Sequence, residues 1–129
     1  MIEISEAQFS QLVSRAIDAI PKRYFEKLQN VAFVIEDQPT LQQREKLKLL
    51  CYQTLYGLYE GIPLTKRGAN YNLVLPDKIT IFRLPIAVAS KSLEEAQSSV
   101  HHTVWHEVAH YFGLDHDRIH ALESKPPQS

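Results

Sequence analysis

The chain has 129 residues, 44% apolar and 22% charged, with a formal net charge of -1. That length lets a globular chain bury roughly two-thirds of its unfolded surface, so one core forms without staples, and the composition excludes a disordered chain. The near-zero charge marks neither a nucleic acid nor an anionic membrane as the main partner, and the single cysteine, Cys51, rules out both an internal disulfide framework and a cysteine-based zinc site.

Ser5-Glu-Ala-Gln8 has the capping-box pattern that opens a helix. Phe9, Leu12, Val13, Ala16, Ile17 and Ile20 follow at helical spacing, and Pro21 ends the run. Lys22–Asn30 reads as a further helical turn. Val31–Ile35 is a continuous apolar run, expected of a strand covered on both faces. Thr40-Leu-Gln-Gln43 caps a second helix reaching about Tyr52.

Thr54–Glu60 reads as a strand closed by Gly61, residues 61–70 as a loop, and Tyr71–Leu75 as a short strand. Pro76-Asp77 turns the chain into Lys78–Leu84, which alternates and is rich in β-branched residues. Ser92-Leu-Glu-Glu95 opens a last helix running to about Phe112, and residues 124–129 form a disordered tail. The order implies one α+β domain over residues 1–129, with a small mixed sheet packed by helices and a metal-binding helix near the C-terminus. Neither a signal peptide nor a run of 18 apolar residues is visible, so the expected location is the cytoplasm.

The chemistry concentrates in His106-Glu-Val-Ala-His110-Tyr-Phe-Gly113-Leu-Asp-His116, which fits HExxHxxGxxH. Residues four apart on a helix lie about 40° apart around the axis, so His106 and His110 project from one face and can reach one cation. Gly113 accepts the left-handed conformation that ends a helix, and His116 is then free to return as third ligand. Three neutral imidazoles leave zinc its full charge and an open position for water. Glu107, about 100° round from His106, flanks that position as a general base.

The core stripe of Val100, Val104, Val108 and Tyr111 lies nearly opposite these histidines, with Trp105 and Ala109 as a second apolar flank. Such a helix is interior, and polar groups on its remaining side need a chemical reason. His102 shares the histidine face one turn earlier; a solvated or interfacial histidine is the favoured reading over a supporting role at the metal. His101 receives no role. Asp115 and Asp117 are better read as orienting a histidine or facing solvent than as ligands, which would need a shift of register. Arg118 and His120 are better read as structural on a short final helix than as contacts to a substrate oxyanion. Lys66-Arg67 reads as a solvated loop and Cys51 as core.

The long motif resembles the zincins, and its metzincin branch in particular. The chain is more closely similar to the small bacterial zincin-like metallopeptidases called minimal metalloproteases. Leu58-Tyr-Glu-Gly-Ile-Pro-Leu-Thr65, Leu75-Pro-Asp-Lys-Ile-Thr-Ile-Phe-Arg83 and Thr103–Gly113 with Asp117–His120 carry that resemblance. It implies a zincin core with the metal helix packed on a small sheet, His106 and His110 as ligands of one Zn2+ per chain, and Glu107 as base. The third ligand in that family is often aspartate, where this chain has His116. The downstream Met-turn of true metzincins is missing, since Met1 is the only methionine, and 13 residues follow His116. The cleft wall is then open, or completed by the Gly61–Asn70 loop or by another subunit.

The expected function is a zinc metallopeptidase with a metal-activated water, acting on a peptide or protein as a monomer or small homo-oligomer. An extended substrate would pair with Tyr71–Leu75 or Lys78–Leu84 as a sheet edge. Two alternatives share the ligand pattern. A metal-dependent endoribonuclease is one, because the bacterial ribosomal-RNA maturation family carries HxxxHxxxxxH; that family lacks the glutamate present here as Glu107, and the charge does not suit RNA. The other is a zinc-binding interaction module without efficient catalysis.

Overall fold

A computed structural model describes residues 1–50, 56–61 and 76–113. Helix α1 spans Glu6–Asp18, and its start is the predicted capping box: Ser5 Oγ accepts from the Gln8 N–H at 3.1 Å while Gln8 Oε1 accepts from the Ser5 N–H at 2.9 Å. Phe9, Leu12, Val13 and Ala16 form its buried face. Helix α2 is the single turn Lys22–Phe25, shorter than the sequence pattern implied. Asn30 then takes φ 54, a left-handed turn that asparagine tolerates, and leads into strand β1, Val31–Glu36.

Helix α3, Leu41–Leu50, opens on the expected reciprocal pair between Thr40 and Gln43, with distances of 3.1 and 2.9 Å. Strand β2 is Gly57–Glu60, so the strand expected from Thr54 starts later: Tyr56 is already in a turn. The loop 61–70 beyond Gly61 and the expected strand 71–75 lie outside the described residues.

Strand β3, Asp77–Phe82, is where expectation and structure part. The predicted strand continued to Leu84, but the chain becomes helix α4, Arg83–Ala89. Pro85 sits in the first turn of that helix, where its missing N–H would have had no helical partner anyway. The hydrophobic alternation that suggested a longer strand is the junction of a strand and a short buried helix.

Among the described residues the sheet has the order β1-β3-β2, with β1 parallel and β2 antiparallel to β3, so it is small and mixed as predicted. Two expectations fail on this topology. β1 is at one end of the described sheet and is only partly buried along its length, so it is not covered on both faces. β3 is paired on both sides, so Lys78–Leu84 offers no edge to an extended substrate.

Helix α5, Leu93–Tyr111, starts where Ser92 Oγ accepts from the Glu95 N–H at 3.1 Å. It packs on α1, α4, β2 and β3. Ile79, Ile81 and Tyr59 from the sheet, Phe9, Leu12 and Val13 from α1, and Val100, Val104 and Val108 from α5 belong to one buried cluster. Burying each large aliphatic or aromatic side chain there contributes about 1.5–3 kcal/mol. The result is an α+β fold that holds α5 against the sheet, α1 and α4. No helix among the described residues is long and apolar enough to cross a membrane.

Candidate metal centre

α5 has the interior character expected of it. Val100, Val104, Val108 and Tyr111 are at most 1% exposed, and Ala109 and Trp105 are buried beside them. Trp105 meets Tyr24 edge-on at 5.1 Å between ring centroids, which ties α2 to the helix. His106, Glu107 and His110 stand together on the remaining, polar side of α5.

His106 and Glu107 are buried and His110 is half-buried. The two imidazoles meet edge to face with centroids 4.8 Å apart. One ligand atom from each imidazole and one carboxylate oxygen of Glu107 all lie within 4.8 Å of one another. Two imidazoles with an adjoining carboxylate are a donor set that suits zinc. Glu107 Oε2 is buried without a hydrogen-bond partner among the described residues. A buried acceptor left open beside two imidazoles is what a site built for a cation and its water requires.

Glu107 Oε1, by contrast, accepts from the backbone N–H of Tyr59 at 3.0 Å. Burial pushes the Glu107 carboxyl up and the Tyr59 hydrogen bond opposes it; burial wins, and the net effect is a rise from the ordinary 4.5 to about 8. A nearby dication acts in the opposite direction to burial and favours the carboxylate.

Tyr59 is itself anchored. Its hydroxyl donates to buried Asp77 Oδ2 at 2.7 Å, and its ring meets Tyr111 edge-on at 6.1 Å between centroids. β2 thus brings a main-chain donor to Glu107, and β3 and α5 hold β2 in place. Sequence reasoning missed this contribution, because a backbone N–H has no sequence signature.

Gly113 has φ 79 and donates its N–H to the His110 carbonyl at 2.9 Å, so α5 ends at the glycine as predicted. His116, Asp115, Asp117, Arg118 and His120 lie outside the described residues, as do Cys51, Lys66 and Arg67. His102 is exposed and its ring stacks on that of His106, with centroids 6.5 Å apart. His101 is half-buried and outside the cluster.

A family model described as zincin-like metallopeptidase matches residues 28–125, which take in the whole sheet and all of α5. No curated protein gives a significant match.

Proposed function

The chain belongs to the zincin-like metallopeptidase family, and from that premise we propose that it hydrolyses peptide bonds, with His106, His110 and His116 holding one zinc ion and Glu107 as general base. The observation that carries this reading is the gathering of His106, Glu107 and His110 on one side of an otherwise buried helix, with ligand atoms within 4.8 Å of one another. Placing His116 as third ligand is supported by Gly113, whose left-handed turn releases the chain from α5 after His110.

Zinc bound there would acidify a water molecule and polarise the scissile carbonyl. The chain supplies the rest. His106 and His110 bind as neutral imidazoles. Glu107 is fixed through Oε1 by the Tyr59 N–H, which leaves Oε2 to take the proton of the attacking water and hand it to the departing amine. The buried setting keeps bulk water from competing for that proton. A net charge of -1 supports a peptide rather than a nucleic acid as substrate.

The test is a cleavage screen of the zinc-loaded protein against peptide and RNA libraries, beside Glu107→Gln. Peptide cleavage that disappears in the variant is the expected result. Cleavage of RNA alone would replace the proposal with a nuclease, and zinc binding without any cleavage would leave an interaction module.

A further inference from the structure

Gly57 lies inside β2, the strand whose Tyr59 amide holds Glu107. Glycine within a strand costs about 0.5–1 kcal/mol relative to alanine, so its presence needs a reason. Backbone conformation is not that reason: among the described glycines Gly113 has positive φ and Gly57 does not. Space is the reason. A Cβ on Gly57 would lie 2.5 Å from Thr103 Cγ2, 3.2 Å from the Thr80 carbonyl oxygen and 3.3 Å from Glu107 Cγ. The first distance is far inside van der Waals contact, and the third touches the side chain of the base.

Thr103 cannot easily turn away. It is buried, and its Oγ1 donates to the Ser99 carbonyl one turn back at 2.7 Å. Rotating χ1 to move the methyl would disturb that bond inside a buried setting. A side chain at position 57 would therefore push β2 and α5 apart at the level of Thr103 and Glu107. The contact most exposed to that movement is the 3.0 Å bond from the Tyr59 N–H to Glu107 Oε1, two residues along β2.

We propose that Gly57 is a positioning residue for Glu107: its missing side chain lets β2 approach α5 closely enough for the Tyr59 amide to hold Oε1 and leave Oε2 as the reacting oxygen. The inference rests on the reading of Glu107 as the base, yet its geometric half stands apart from any activity. Neither His106 nor His110 supplies any of the three atoms nearest to a Cβ at position 57.

The experiment follows the Tyr59 amide in 1H–15N spectra of the metal-free full-length protein. Wild type and Glu107→Ala define the bonded and unbonded positions of that resonance. Gly57→Ala is expected to move it toward the unbonded position. Adding Thr103→Ser deletes the methyl group that Ala at position 57 would strike while keeping the hydroxyl, and is expected to bring the resonance back toward wild type. On the zinc-loaded protein, Gly57→Ala should lower kcat by about ten- to a hundredfold, with zinc affinity and KM little changed and kcat partly restored in the double variant.

A folded Gly57→Ala protein with an unmoved Tyr59 amide would overturn the proposal, as would a displacement that Thr103→Ser does not reverse. If Gly57→Ala does not fold, the double variant decides: a folded protein with a bonded Tyr59 amide supports the proposal, and an unfolded one overturns it. Failure of the peptidase reading would appear as no cleavage by wild type and would leave the amide result intact.

Discussion

The backbone N–H of Tyr59 donates to Oε1 of Glu107 at 3.0 Å, joining the second strand of the sheet to α5 across 48 positions of sequence. The bond gives the two carboxylate oxygens different jobs. Oε1 is held by the protein, and Oε2 is buried without a partner among the described residues, which makes it the oxygen that the proposed mechanism uses.

Glu107→Gln keeps the size of the side chain and an oxygen for the Tyr59 amide, but it removes the proton acceptor. Zinc content should stay near one per chain because the imidazoles are untouched. Hydrolysis should fall by about two to four orders of magnitude, the scale of losing one general base. Zinc analysis with kcat/KM on one peptide checks both. Loss of zinc would make Glu107 a ligand, and full activity would remove it from the mechanism.

The buried carboxyl also makes the metal-free protein sensitive to pH. Its folded pKa of about 8 is above the ordinary 4.5, so between those values the folded state binds more protons than the unfolded state. Stability contributed by the protonated group is fully present below pH 4.5, declines as pH rises, and is gone above about pH 8. The expected loss is on the order of a few kcal/mol. Urea unfolding of the metal-free protein from pH 4.5 to 8.5 should show the decline, and Glu107→Gln should flatten it. Equal slopes in the two proteins would show that the carboxyl is ionised throughout.

For the third ligand, His116→Ala should weaken zinc binding far more than Asp115→Ala or Asp117→Ala in a competition titration. A greater effect of Asp117→Ala would turn the site into a mixed nitrogen–oxygen one.

Tyr59→Phe separates the two roles of one residue. It deletes the hydroxyl that donates to buried Asp77 Oδ2 and leaves the backbone N–H in place. Stability should drop by about 1–3 kcal/mol, the scale of leaving a buried acceptor short of a donor. Zinc affinity and kcat should change little. A large fall in kcat at unchanged stability would mean that the Tyr59 hydroxyl meets the substrate.

How much of this was legible in the residues differs from element to element. Ser5 with Gln8 and Thr40 with Gln43 announce their helices because a cap is a local event, completed within four residues. α4 was missed because its apolar residues continue the composition of β3, and Pro85 looks like a strand breaker until its place in a first helical turn is seen. β1 looked covered on both faces because a continuous apolar run records what could be buried, while the sheet order decides what is.

The candidate site divides in the same way. His106 and His110 share a face by helical geometry alone, and the apolar residues around them require that helix to be interior, so the sequence by itself determined the candidate histidine pair, its neighbouring carboxyl and the glycine that ends the helix. Only the tertiary structure decided which strand reaches Glu107, which of its oxygens is held, and why position 57 has no side chain. The physical reason is range. A helix sets the spacing of its own side chains within a turn, whereas a main-chain donor 48 residues away comes within 3.0 Å of a carboxylate only after the strand has paired with β3 and packed against α5.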